Sequence, residues 1–426
     1  MGYYTPVTSM FYGWIILAAL CLIYFLSLGT VFYGFAANLP EMIKATGWSR
    51  AEASLGFSIL LMVMGLSGLA AAYCIRRMGA RWTMVLGGLT GTMGALGCYA
   101  MTSLMHYYIS VGILAVGMAL LGNVPCMQVL TSWFARKRAL AIGMFMSMGG
   151  LGAFVAAPSV SALVQITGDW RDAWLVMAMA TLTGAMVAGL VVINHPSLKG
   201  TFVDGADPAS GEDHGDAVHH ARRVHQARIS WNTRIALRSL PFWIIVSAAA
   251  ATVFGGVTFN SQSGYHLRDL GLLPVSAASA IGVFGLFAAM GSWLAGYLGD
   301  RYDPRFMLAG GLAMQSVALI MLIQADTPMM AFTLAAIFGG GNGMALAAAP
   351  ALQANFFGPA NYAAIFSVHA LCVTGSGTVA PILAGANYDA AASYTWLFIA
   401  IAAIGLIPVA LVLRMSPPMP QPDTAL

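Results

Sequence analysis

The chain has 426 residues, 59% of them hydrophobic and only 8% charged, and its formal net charge is +4. A soluble protein carries about 25% charged residues, so this composition excludes a water-soluble globular protein. With a mean hydropathy of +0.79, the chain reads as an integral membrane protein.

Near-charge-free stretches of about 20–28 residues follow one another along the sequence, long enough to cross a bilayer as helices. They predict spans near 12–37, 53–75, 82–104, 107–134, 139–166, 173–194, 241–266, 275–299, 306–325, 329–357, 362–388 and 394–414. Met1–Phe11 holds no basic residue and the stretch after it is long, which predicts a retained first span rather than a cleaved signal peptide. Twelve spans put both termini on one side, and Lys and Arg indicate which side that is. With the termini in the cytoplasm, fifteen of the nineteen Lys and Arg fall in inside loops, and only Lys44, Arg50, Arg171 and Arg268 fall outside. The expectation is a multi-pass protein of the plasma (inner) membrane with both termini cytoplasmic.

The five cysteines, Cys21, Cys74, Cys98, Cys126 and Cys372, lie inside apolar stretches without CxxC spacing. They read as small buried hydrophobes rather than metal or redox groups. Met144, Met146 and Met148 alternate, which spreads them over different helix faces and favours flexible packing over a soft-metal path.

One long hydrophilic segment, about His195–Leu240, separates the sixth and seventh spans. Asp204–Asp216 is rich in Gly, Pro, Ser and acids and reads as disordered. Ile229–Ser239 is basic and partly amphipathic and suits the cytoplasmic headgroups. His214, His219, His220 and His225 offer metal ligands or simply decorate a solvated linker. Without a fixed scaffold, the linker reading is preferred.

The sequence on either side of this segment is duplicated. Gly47 lines up with Gly271, and Arg77-Met78-Gly79 with Arg301-Tyr302-Asp303, at an offset of 224; Phe134, Ile142, Gly152 and Pro158 line up with Phe357, Ile365, Gly375 and Pro381 at 223. The expected fold is an all-α membrane protein of twelve transmembrane helices in two pseudo-symmetric six-helix halves. Its parts are residues 1–194, a central segment 195–240, residues 241–414 and a tail 415–426. Two parallel halves place a transport site between them.

Gly296-Tyr297-Leu298-Gly299-Asp300-Arg301-Tyr302-Asp303-Pro304-Arg305 joins the eighth and ninth spans. Its glycines, acid and bases suit a hinge, with the acid free to meet a helix N-terminus or a base. This spacing resembles the signature loop of the major facilitator superfamily. In the first half the equivalent is Arg76-Arg77-Met78-Gly79-Ala80-Arg81, where Arg76 replaces the family's acid. The resemblance therefore implies gating at Arg76, Arg77, Gly79, Asp300 and Arg301, with unequal contacts on the two sides. Tyr12-Gly13-Trp14, Trp48-Ser49-Arg50-Ala51, Asp169-Trp170-Arg171-Asp172-Ala173-Trp174, Ala236-Leu237-Arg238-Ser239 and Phe242-Trp243 resemble the monocarboxylate-transporter and oxalate/formate-antiporter branch. Spans five and eleven are glycine-rich (Gly143, Gly149, Gly150, Gly152; Gly375, Gly377), which permits close, sliding helix contacts or simply tight packing.

No Asp, Glu, Lys or Arg lies in the middle of any span. The resembling branch commonly recognises anions with basic side chains on spans one, eight or eleven, and Tyr12–Ala37, Val275–Gly299 and Tyr362–Tyr388 have none. The polar candidates for substrate contact are Tyr33, Asn123, Thr258, Gln262, Asn342, His369 and Ser376, on spans that line the cavity of this fold. Helix–helix hydrogen bonding is the competing explanation for each. Gln353 shares a face with Asn342. His369 is the candidate for proton coupling, because an unperturbed imidazole titrates at about 6.5. Glu52 is a lesser candidate at the outer edge, beside Arg50.

The expected activity is secondary active transport of a small, monocarboxylate-like organic acid by alternating access, moved with a proton. The alternative is efflux of amphipathic or hydrophobic compounds through the uncharged interior. A receptor or scaffold would need a large soluble domain, and an enzyme a nucleophile–base pair or phosphate loop, and neither is present in the sequence. The expected partners are a small-molecule substrate, an organic anion or weak acid, and the lipid bilayer. No nucleic acid, metal or cofactor is expected, and the chain is expected to act as a monomer.

Overall fold

The computed structural model describes residues 11–205, 225, 227, 231–271, 274–391 and 393–418. His214, His219 and His220, and most of the stretch expected to be disordered, lie outside the described residues. Eleven helical segments among the described residues are long and apolar enough to cross a membrane. One of them, Leu55–Tyr99, has 45 residues and suffices for two crossings. The result is the all-helical, twelve-crossing architecture expected from the sequence, in two halves of six.

Span one is built from Tyr12–Tyr24, a stretch of wide turns over Phe25–Tyr33, and Gly34–Thr46. Spans two and three form one helix, Arg50–Tyr99, interrupted at Gly79. Span four is Leu104–Leu121 and Asn123–Trp133, broken at Gly122. Spans five and six are Arg138–Thr167 and Arg171–Val191. Spans seven to twelve are Leu240–Asp269, Pro274–Gly299, Pro304–Leu322, Pro328–Phe357, Tyr362–Ala391 and Thr395–Arg414.

The helix ends follow from local chemistry. Ser49 and Glu52 form a reciprocal capping box at the start of span two. Ser103, Asp303 and Thr327 each accept a backbone N–H at the start of spans four, nine and ten. The carboxylate of Glu52 is therefore engaged with Ser49, whose backbone and hydroxyl donors hold it below the usual carboxylate range. The side chain of Arg50, the neighbouring base that could form an ion pair with it, lies outside the described residues. The duplicated glycines Gly47 and Gly271 adopt matching left-handed backbones, with φ of 71° and 89°. The repeat thus extends to turn geometry.

Gly79 turns the chain between spans two and three at φ 81°. A side chain there would be strained by the backbone and would strike the Asn194 amide. Asn194 Oδ1 accepts from Arg81 N at 2.8 Å, and Arg81 Nε donates to Gly189 O at 3.0 Å. The loop is thus tied to the end of span six, inside its own half.

The central segment is more ordered at its edges than its composition predicts. Asp204 is part of a short turn of residues 203–205. Among its described residues the basic stretch is helical over Thr233–Arg238, with Ala236 and Trp231 buried in the core of the second half. Ala227 N donates to Asn355 O at 2.7 Å and Trp231 N to Phe357 O at 3.2 Å. This stretch is docked on protein through its apolar side, while Arg234 and Arg238 are exposed.

The halves meet in one apolar cluster. It joins Tyr24, Ile142, Phe145 and Met146 of the first half to Ala347, Ala351, Tyr362 and Phe366 of the second. Span five packs on span eight and span two on span eleven. At Gly143 the approach is backbone to backbone: an added Cβ would lie 2.5 Å from Ser292 O and 2.6 Å from Gly296 Cα.

Candidate functional site

The polar residues singled out in the spans separate into two groups once their partners are known. Asn342 donates to Thr252 O at 3.1 Å and to Gln315 Oε1 at 3.3 Å, which braces spans seven, nine and ten against each other. Ser376 donates to Ala250 O at 3.1 Å and to Val373 O at 2.7 Å. Gln262 donates to its neighbour Ser261 at 3.2 Å. His266 meets Leu322 O at 3.2 Å, within the second half. These contacts are helix–helix and intrahelical hydrogen bonds. Replacing Asn342 with leucine is expected to lower stability by about 1–3 kcal/mol, because Thr252 O and Gln315 lose their buried partner. Thermal unfolding of the purified variant measures this.

The second group has buried hydrogen-bonding atoms without a protein partner. These atoms include Asn123 Oδ1, Thr258 Oγ1, both amide ends of Gln353, and His369 Nδ1. A buried polar atom without a partner costs about 1–3 kcal/mol, so such atoms mark places where a polar ligand is favoured. His369 is 4% exposed and its ring lies on Phe366, centroids 5.2 Å apart, in a stack that continues to Tyr362. Asn123 opens the second part of span four, directly after the break at Gly122. The next residue, Val124, belongs to the same cluster between the halves as Phe366 and Tyr24. Tyr24 Oη donates to Met146 Sδ at 3.8 Å, and its ring lies 4.2 Å from that of Phe145. Tyr33 is half-buried in the wide turns of span one, against Phe32. Asn123 and His369 are thus associated with the surface where the halves meet.

The loops that carry most of the basic residues lie at one end of the spans, called here the basic face. There Asp300 Oδ1 accepts from Ala139 N at 2.8 Å and Oδ2 from Leu140 N at 3.1 Å. A carboxylate from the second half caps a helix of the first, at its positive end. Burial pushes the Asp300 carboxyl up to about 7; Asp204 adds to the rise, while the two N–H groups and Arg138 oppose it. Asp204 accepts from Arg136 N at 2.8 Å and Ala135 N at 3.1 Å. Arg138 donates to Phe134 O at 3.1 Å, and across the seam to Ala354 O and Asn355 Oδ1, both at 3.3 Å.

The equivalent loop of the first half is different. Arg76 and Arg77 are exposed, and Arg77 lies over the Tyr73 ring at 5.5 Å. Arg301 is also exposed, over Tyr297 at 4.2 Å. Of the loop residues singled out in the sequence, Asp300 makes the contact between halves. The roles of Arg138 and Asp204 are not legible in the sequence. Arg138 looks like one of three ordinary loop bases, and Asp204 lies in a stretch whose composition indicates disorder.

Comparison with known proteins supplies the family. The model of the Major Facilitator Superfamily matches residues 17–291 and 261–425. The bovine (Bos taurus) protein named monocarboxylate transporter 13 is 26% identical over 323 residues, covering 74% of this chain and 67% of that protein. Human (Homo sapiens) monocarboxylate transporter 11 is 29% identical over 196 residues, 43% of this chain and 40% of that one. Among solved structures, a proton:xylose symporter of the superfamily superposes with a TM-score of 0.72 at 13% identity, over 95% of both chains. The fold is therefore shared with a transporter whose sequence has diverged widely.

Proposed function

Because the chain belongs to the major facilitator superfamily and is related to monocarboxylate transporters, we propose that it moves a small organic acid across the membrane by alternating access, together with a proton. The observation that carries this reading is the character of the polar groups at the seam. Asn123 and His369 have unpartnered buried atoms, and both are uncharged or able to be so. No basic side chain within Tyr12–Leu39 of span one, or on spans eight and eleven, offsets a carboxylate. A carboxylate without a counter-charge is strongly disfavoured in a span, whereas a neutral acid can donate and accept hydrogen bonds there. His369 is the group through which a proton would be taken up or released. The halves rock about this seam, opening and closing the basic face, which we place in the cytoplasm of the plasma (inner) membrane. The working unit is the monomer.

Uptake into proteoliposomes of a labelled monocarboxylate, with and without an inward pH gradient, tests the reading. Stimulation by the gradient is expected, and acid uptake indifferent to it sinks the proton part. His369→Gln preserves hydrogen bonding without titration at these pH values, so it is expected to keep exchange while losing the gradient response. His369→Phe is expected to lower both by about tenfold, the equivalent of one buried hydrogen bond at the site.

The apolar lining of the seam supports a second reading. Tyr24, Phe145, Met146 and Phe366 offer aromatic and thioether surface suited to an amphipathic solute. Under efflux, cells expressing the protein accumulate less of a hydrophobic dye than cells without it. Unchanged dye levels, with acid uptake present, leave the organic-acid reading alone.

A further inference from the structure

The clamp on span five has no pseudo-symmetric copy at Arg76, yet the start of span eleven is held. Leu140 N, which donates to Asp300, corresponds at an offset of 223 to Ala363 N. The residue corresponding to Asp300 is Arg76, whose guanidinium has donors only and cannot accept that N–H. Ala363 N donates instead to Gln128 Oε1 at 2.9 Å. Gln128 Nε2 in turn donates to Pro359 O at 3.1 Å, in the turn before span eleven. Ser132 Oγ, one helical turn on, donates to the Gln128 carbonyl at 2.8 Å and lies 3.4 Å from its amide nitrogen. Span four of the first half therefore grips span eleven of the second. The counterpart of Gln128 at the same offset is Ala351, an apolar residue buried in the seam cluster, so the second half has no such group.

We infer that Gln128 is the latch on span eleven, replacing the acid that the loop at Arg76 lacks, so that the basic face is closed by one ionisable clamp and one neutral clamp. The amide suits the position because it meets an N–H and a carbonyl at once. A carboxylate would accept from Ala363 but face Pro359 O with a second acceptor. A protonated carboxyl could both accept and donate, as the amide does. Among the described residues, the ionisable groups along this seam are Arg138, Asp204 and Asp300 on the span-five side, Tyr362 beside the span-eleven clamp, and His225 against Phe356 at the end of span ten. Gln128 is a positioning residue, acting on the gate and not on the substrate. This inference rests on the alternating-access part of the proposed function.

The test reads opening of the basic face without any substrate. Ser367, 1% exposed and set where span eleven packs beside Gly68 of span two, is replaced by cysteine in a background lacking the five native cysteines. Labelling by a polar maleimide is followed in lipid nanodiscs. Gln128→Ala is expected to accelerate labelling about tenfold, the effect of weakening a paired neutral contact. Gln128→Glu is examined in the Asp300→Asn background, where the ionisable clamp is gone. Because the thiolate is the reacting form, labelling of every variant slows as pH falls, and each rate is divided by that of Asp300→Asn alone at the same pH. The ratio is expected to be high at pH 8 and near one at pH 5. Loss of packing at position 128 would not produce that pH dependence. If Gln128→Ala labels as slowly as the parent while Asp300→Ala labels fast, Gln128 is not a latch. If neither opens the face, the alternating-access reading fails with it.

Discussion

Replacing Gly143 with valine is expected to abolish net transport, by about a hundredfold or more, while leaving the protein folded in the membrane. Span five and span eight touch through their backbones at this point. An added Cβ would lie 2.5 Å from Ser292 O, 2.6 Å from Gly296 Cα and 2.9 Å from Gly296 N. All three are main-chain atoms, so no rotamer change can relieve the overlap. Overpacking of this kind costs about 1–3 kcal/mol, and each 1.4 kcal/mol shifts a two-state population about tenfold. Because the contact joins the two halves, the penalty falls on the state in which the basic face is closed. Under the alternating access proposed above, the protein visits that state in every cycle, so the turnover rate falls with its population. Gly143→Ala is expected to show about a tenfold loss. The rate of labelling at a cysteine in place of Ser367 should rise in the same order. Uptake by Gly143→Val within twofold of the parent protein would show that the contact is not part of the cycle.

Asp300 should be the second large effect, and the one that depends on pH. Asp300→Ala leaves Ala139 N and Leu140 N without their acceptor at the head of span five. With about 1–3 kcal/mol for each orphaned buried group, the basic face is expected to open more than about tenfold as often. Asp300→Asn supplies one acceptor in place of two and should fall between. The sign of the pH effect follows from where the proton is held more tightly. With the face closed, burial pushes the Asp300 carboxyl from the ordinary 3.8 up to about 7. With the face open, water reaches the group and it returns toward the ordinary value. The closed form then binds the proton better, so acidification favours closure. The change should run from about 7 down to the ordinary carboxylate range, with none above it. Asp300→Asn should remove this dependence. Distances between spin labels across the basic face, recorded as a function of pH, measure the equilibrium. An unaltered pH profile in Asp300→Asn assigns the titration elsewhere.

The two kinds of span residue show how far the sequence could be read. Asn342 and His369 are alike in the sequence: each is a lone polar group in a long apolar stretch. The structure separates them, because Asn342 meets Thr252 and Gln315, whereas His369 Nδ1 meets nothing. That distinction depends on the rotation of span ten against spans seven and nine, which one helix's pattern does not encode. Gln128 is not legible in the sequence because both of its partners, in the turn before span eleven and at its start, lie more than 230 residues away. The one available clue was the loss of the acid at Arg76, which implied an unequal gate without saying what replaced it.

What the sequence determines by itself is the scaffold. In a bilayer every span must satisfy its own backbone, so apolar length alone defines helices, and the duplication defines two halves and the seam between them. The turn at Gly79 and the cap at Ser49 are local as well, legible because a positive φ or a helix N-terminus demands particular residues. Tertiary structure decides which groups act across the seam. Asp300 reaches Ala139 and Leu140 from 160 residues away and more, and Asp204 grips Ala135 and Arg136 from a stretch whose composition suggests disorder. The reason is that helix formation is settled within a few residues, whereas a contact between halves depends on the packing of two finished helices.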